Sequence, residues 1–571
     1  MRKFYMLAFF AFLFIGNIVA QEVLVVDPGV GTLNTAVATY GGDRIYELTA
    51  GEWYGLDAPI ENVDYHLQII GSEPAEAGGM PATLQTGSDI NGAAFGNMFD
   101  AKGDITLKNI YFVNADLNAQ VANCFMTESK TGSRIIIDKC VFHPMGVSFL
   151  INGQGGGTKT YFTNNLAIDH GHQLSPNDGH TFAYDNTTGV GFDTVWIENN
   201  TFICVGMNFF QGSFANMVNN LYCVNHNTFV FTKSQIDWCD FKQEQYWTNN
   251  LMFDLQVDPY ANNWQPMPGG DPSMPKPNLI YADTIPGETM PSERPCFVEY
   301  NAHYRAQGFY DLVDEMNVFC AEQDPPLPGV YLYPLVWPAD TLTSREAQMF
   351  ANDTDWPNFK YGNTITDVDP EWTDAEIYNH ETNFIAWASP ANYIHALGQP
   401  SDNYPPATEW PQYWWIPSGD LAANDVWPVF DGTYSNEETL EGSIEVNVPL
   451  GDLNWWPEAK AAWEENYDAI WDHMRALNED QIDIGFAGYV PSAVPKVKDE
   501  PFVVYPNPAN DILKVKAANN VDITIMNVDG RVVRQVKNVS EVRISDLSNG
   551  LYNVTVKDGN NVTTQKILIA R

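Results

Sequence analysis

The stretch "IDHGHQLSPNDGH" gathers Asp169, His170, His172, Asp178 and His180. Imidazoles and carboxylates are the residue types that hold zinc or a similar ion, and they also pass protons as acids and bases. As metal ligands the set would be His170, His172, Asp178 and His180. An HxH pair on a loop lacks an established spacing with a fourth ligand, so a solvated polar loop is the favoured reading. Further on, "KSQIDWCDFKQEQ" supplies Lys233, Asp237, Asp240 and Lys242, with Asp254 beyond. An amine among carboxylates suits proton transfer, although Asp pairs on an acidic chain are commonly just surface. "EWPQYWWIPSGD" offers Trp410, Trp414 and Trp415 as flat faces for sugar rings; packing of loops onto the body is the favoured alternative. "DVDPEW", with Asp367 and Asp369, lacks the full run of acidic ligands of a calcium loop. "GQGGGTKT" fails as a phosphate loop, since Thr158 stands where its last glycine must be, and reads as a flexible turn.

Something must position these groups, and a recurring phrase supplies it. In one frame the chain writes "LKNIYF" from Leu107, "IDKCVF" from Ile137, "FTNNLA" from Phe162, "IENNTF" from Ile197, "VNHNTF" from Val224 and "WTNNLM" from Trp247. The spacings of 30, 25, 35, 27 and 23 residues vary while the frame holds. A unit too short to bury its own apolar face implies stacking. Alternation with β-branched and aromatic residues makes the units strands rather than helices. The third place holds Asn109, Lys139, Asn164, Asn199, His226 or Asn249. Asparagine there tolerates the left-handed backbone of a tight bend, and its amide is expected to bond the same amide one coil above. Phe112, Phe142, Ala167, Phe202, Phe229 and Met252 are expected to stack inside. At about 4.8 Å per coil, six coils present flat faces about 29 Å long, a shape suited to long polymers. A β-sandwich would instead show regular hairpin turns every ~8–12 residues.

At 571 residues and 44% hydrophobic, the chain can bury a large core and form more than one domain. The seven cysteines, Cys124, Cys140, Cys204, Cys223, Cys239, Cys296 and Cys320, show no CxxC spacing and read as small buried hydrophobes. Residues 21–503 carry 18 basic against 66 acidic side chains. Such a body repels nucleic acid and anionic membranes, and repels an anionic polysaccharide unless a divalent cation or a local basic groove intervenes. Arg2 and Lys3, the apolar run Phe4–Ile15 and Ile18-Val19-Ala20 have the layout of a signal peptide over residues 1–20. That run is shorter than the ~20 residues of a membrane span, and no later run is apolar enough.

These phrases, with "LQIIGSEPAEAGGMPATLQ" before them, resemble the right-handed parallel β-helix of the pectate-lyase-like superfamily. The resemblance implies an all-β body over 21–350 handling polysaccharide, in which a Lys or Arg abstracts a proton and Asp or Glu hold Ca2+. Lys233, Asp237, Asp240 and Lys242 are the candidates for such catalysis, and paired carboxylates would serve a hydrolase instead. A non-catalytic glycan-binding, adhesin or scaffold role stands beside these. Residues 351–488 form a Trp- and Pro-rich extension with one amphipathic helix from Pro457, with Trp463, Tyr467, Ile470 and Trp471 on one face, expected to cover an open sheet edge. After a linker at 489–503 comes "VYPNPANDIL", then Gly530-Arg531, Leu547, Gly550-Leu551-Tyr552 and Lys566. This tail, 504–571, resembles the type A C-terminal sorting domain of the type IX secretion system and reads as a small Ig-like sandwich. The resemblance implies contact with that secretion machinery and release or surface attachment.

Overall fold

The computed structural model describes residues 22–255 except 43, 76–78, 172–178, 185–189, 207, 213–217, 233–236 and 239–240; 294–323 and 326; 349–387 except 352–353; 413 and 415; 430–471 except 446–447; and 503–569 except 506–508, 517–520, 528–530, 549 and 559–560. The signal segment and most of the linker lie outside the described residues. The chain divides into two compact units, Met1–Tyr489 and Val490–Arg571.

The first unit is a parallel β-helix. Its described strands form three sheets: sheets A and B with 11 strands each, and sheet C with 7. Each strand pairs in parallel with the equivalent strand of the next coil, as Thr194–Glu198 does with Lys159–Thr163 before it and with 221–225 after it. Sheet A passes to sheet B through a bend whose first residue is left-handed. Asn109, Lys139, Asn164, Asn199, His226 and Asn249 have φ between 52° and 60°, the place expected from the phrase.

The amide ladder, however, sits one residue later. Asn165, Asn200, Asn227, Asn250 and Asn301 are joined by Nδ2–H···Oδ1 bonds of 3.0, 2.9, 3.0 and 2.9 Å. The left-handed residue projects away from the coil, whereas its successor is enclosed by it and meets its counterpart on the next coil. Ladder amides also accept from the next backbone: Asn200 Oδ1 takes the Asn165 N–H at 2.9 Å. The outward Asn199 and Asn249 are spent otherwise. Their Oδ1 atoms accept the backbone N–H groups of Leu453 and Ile444, so the bends hold the returning extension.

Inside, Phe112 stacks on Phe142 at 5.1 Å and Phe202 on Phe229 at 5.4 Å. Ala167 would leave a gap between them; Phe162 fills it, touching Phe142 at 5.6 Å and Phe202 at 5.7 Å. The six described cysteines are buried, as small hydrophobes are. Helix Thr32–Tyr40 inserts Leu33 and Val37 into the same core.

The last coil closes with Phe359–Gly362 and Ile365–Thr366. Helix Glu376–Trp387 then packs Ile377 and Phe384 on the outer side of sheet B, with Phe384 stacked on Phe231 at 5.9 Å. Pro457 opens the amphipathic helix Pro457–Glu465, where its fixed φ costs nothing, and a further helical turn follows at 467–471. These turns do not cover an edge. Trp463 and Ile470 lie on the outer face of sheet A against Tyr246 and Phe297, because that apolar stretch of sheet needs cover and the sheet's edges lie at the ends of the stack.

The second unit pairs a three-stranded antiparallel sheet with a four-stranded one. Leu513, Val515, Ile523, Ile525, Val554 and Ile567 fill the space between, the Ig-like sandwich expected from the tail. Among the described residues no helix is long and apolar enough to cross a membrane.

Candidate functional site

Strands Arg134–Asp138, Lys159–Thr163 and Thr194–Glu198 lie side by side in sheet A and turn alternate residues outward. Ile136, Tyr161 and Trp196 occupy one register column. Asp138, Thr163 and Glu198 occupy the next. The helical turn at 467–471 closes one side, with Trp471 edge-on to Trp196 at 4.5 Å. The result is an open groove of about 470 Å³ lined by Arg134, Ile136, Tyr161, Thr163, Trp196, Glu198 and Tyr467. Tyr161, Trp196 and Tyr467 are each half-buried, so rings meet solvent in the groove.

Glu198 is its polar centre. Its Oε2 accepts from Trp196 Nε1 at 3.1 Å and from the Tyr467 hydroxyl at 2.9 Å, and its Oε1 accepts from Asn225 Nδ2 at 2.9 Å. Burial pushes this carboxyl above the usual carboxylate range, and the three donors pull it partly back. It can hold a proton at pH values where an ordinary glutamate has lost it.

The described groups among those picked out by type and spacing are dispersed. His170 is buried with Nδ1 3.3 Å from Thr181 Oγ1. His180, the neighbour of Thr181, stacks on Phe149 at 5.6 Å, and burial lowers its pKa to about 4. His172 and Asp178 lie outside the described residues, among which no three His, Cys, Asp or Glu side chains converge as a metal site. Lys242 is buried with its ammonium 5.3 Å from the Tyr222 ring centre. Asp237 sits on the short strand Asp237–Trp238 of sheet C, and Lys233 and Asp240 lie outside the described residues. Asp254, at the end of a sheet B strand, is fully buried and accepts the Ala306 N–H at 2.7 Å. Burial, and then the Glu381 carboxyl beside it, holds it well above the usual range. Trp415 is 6% exposed, stacked on His380 at 3.7 Å, with its N–H donated to Asp169 Oδ1; packing, not a sugar ring, occupies it. Trp410 and Trp414 lie outside the described residues. Asp369 Oδ1 accepts from the Tyr378 hydroxyl at 2.8 Å. The glycine run is a turn around Glu128, whose carboxylate accepts from Ser133, Thr158 and the Gly155 N–H.

Tyr161, Trp196, Glu198 and Tyr467 were not among the candidates. The signal for Tyr161 and Trp196 lies just outside the frame, where the residue before each phrase gives the outward column Thr106, Ile136, Tyr161, Trp196, Cys223 and Tyr246.

No curated protein matches the chain. Among solved structures it is similar to the PL6 family alginate lyase AlyGC, at 14% identity and a TM-score of 0.29, over 41% of this chain. The similarity spans 36% of that structure's length. The tail is matched by a described family: residues 503–570 match the secretion system C-terminal sorting domain, which indicates export by type IX secretion to the cell surface or the medium.

Proposed function

We propose that this exported β-helix binds polysaccharide along the outer face of sheet A. The observation that carries the reading is the groove itself. It is a flat, parallel surface on which the half-exposed rings of Tyr161, Trp196 and Tyr467 surround a hydrogen-bonding carboxyl. Aromatic faces present apolar area with a polar rim, which complements the mixed surface of a pyranose. The groove is open rather than enclosed, so a chain can lie across it. The fold itself does not decide the function.

Cleavage is a second reading, favoured by the raised pKa of Glu198, which suits a general acid at near-neutral pH. Two assays on the same panel of polysaccharides separate them. Retention of the chain by a polymer without new reducing ends or unsaturated products supports binding alone. Product formation that Glu198→Gln abolishes makes the groove an active site. If no polymer is retained and none is cut, the proposal fails.

A further inference from the structure

The charges on this face cancel. Lys108 Nζ lies 3.3 Å from Asp138, Arg134 Nη2 3.8 Å from Asp104, and Lys159 Nζ 3.4 Å from Asp193. Asp138 is committed further, accepting from the Thr163 hydroxyl at 2.8 Å and from Asn164 Nδ2 at 2.6 Å. Lys139 stands at the bend bordering the face and does not line the groove. Among the described residues that line the groove, the remaining charged group is Glu198, a carboxyl.

From this balance we infer that the ligand of the face is an uncharged, hydroxyl-rich polysaccharide rather than a polymer of uronic acids. The inference rests on the reading that the face binds polysaccharide, and it names the class. Lys108, Arg134 and Lys159 each already have a carboxylate at ion-pair distance. Exposed pairs of this kind contribute little to stability, but they leave a uronate no net attraction, since it meets one negative group for each positive one. Glu198 adds repulsion when ionised. Within the ~8 Å screening length at physiological salt, the excess of acidic side chains over residues 21–503, 66 against 18 basic, disfavours a polyanion. What the groove offers a sugar is rings for its apolar face, and Thr163, Glu198 and the Arg134 guanidinium for its hydroxyls. A neutral sugar uses all of these and meets no field.

The test is affinity electrophoresis of the full chain in native gels cast with neutral polymers (mixed-linkage β-glucan, galactomannan) or acidic ones (polygalacturonate, alginate), each with calcium and with chelator. Calorimetry then follows any polymer that retards the chain. The expected result is retardation by a neutral polymer and by neither acidic one. Its affinity should be nearly constant from about 0.1 to about 1 M salt. Trp196→Ala should weaken it about tenfold or more. Because Trp196 also touches Trp471, Tyr161→Ala is made in parallel, and both variants are checked for an unchanged melting temperature. Retardation by an acidic polymer that either variant abolishes overturns the neutral class and leaves the face as the binding site. Neutral binding that neither variant weakens overturns the placement on this face. Retardation by none of the polymers overturns both.

Discussion

The Tyr467 hydroxyl donates to Glu198 Oε2 at 2.9 Å across 269 residues of sequence. This bond ties the helical turn at 467–471 to sheet A and gives the groove its third ring. Tyr467→Phe should lower the stability of the first unit by about 1–2 kcal/mol, because a buried carboxyl loses one of its donors. Urea unfolding followed by tryptophan fluorescence measures it; an unchanged midpoint would mean that the bond is not formed in solution.

Asp452 carries a pH signature. It is buried, accepting from Thr201 Oγ1 at 2.8 Å and from the Asn454 N–H at 2.9 Å, and burial pushes its carboxyl up to about 7. The folded chain therefore keeps a proton that the unfolded chain has released, and stability falls as pH rises from the ordinary carboxylate range to about 7. Asp452→Asn removes this loss. The wild type should weaken relative to the variant by about 1.4 kcal/mol per pH unit across that window. Parallel curves of stability against pH would contradict it.

The ladder should be intolerant of gaps. Asn250 Oδ1 accepts both the N–H and Nδ2–H of Asn227, at 2.9 and 3.0 Å. Asn250→Ala leaves these buried donors without an acceptor and should cost about 2–4 kcal/mol. Asn109, whose amide donates to Gly71 O and Ser72 O outside the ladder, should cost less on the same change. Thermal unfolding of the two variants gives the comparison.

Much of this fold was legible because its requirements are local and repeat. The left-handed bend admits few residue types, so Asn109, Asn164, Asn199 and Asn249 announce it. The ladder was misplaced by one because Asn164-Asn165, Asn199-Asn200 and Asn249-Asn250 are written as pairs, and composition alone does not say which member is enclosed. The groove was not legible. Tyr161 and Trp196 sit on separate coils, and Tyr467 arrives from an extension whose docking the sequence does not display. The His and Asp cluster at 169–180 drew notice by residue type, but its described members turn to different partners: Asp169 to Trp415, His170 to Thr181 and His180 to Phe149.

The glycine run tests the turn. A Cβ at Gly155 would lie 2.4 Å from the Lys130 carbonyl carbon, a backbone atom that cannot swing aside. Gly155→Ala should cost about 1–3 kcal/mol, read as a lower melting temperature. Gly132→Ala, which meets open space but has φ of 75°, should cost about 1 kcal/mol through backbone strain alone.

Export depends on the tail. Deleting residues 503–570, the matched sorting domain, should leave a folded first unit inside the cell envelope rather than at the surface or in the medium. Immunoblots of cell fractions decide it, and undiminished appearance outside the cell would contradict the assignment.

Hydroxyl-radical footprinting of the chain, with and without a retained polysaccharide, asks where the polymer lies. Protection of Tyr161, Trp196 and Tyr467, with residues on sheets B and C unchanged, is the expected result. Protection confined to another face, with these three side chains as reactive as in the free protein, would contradict it.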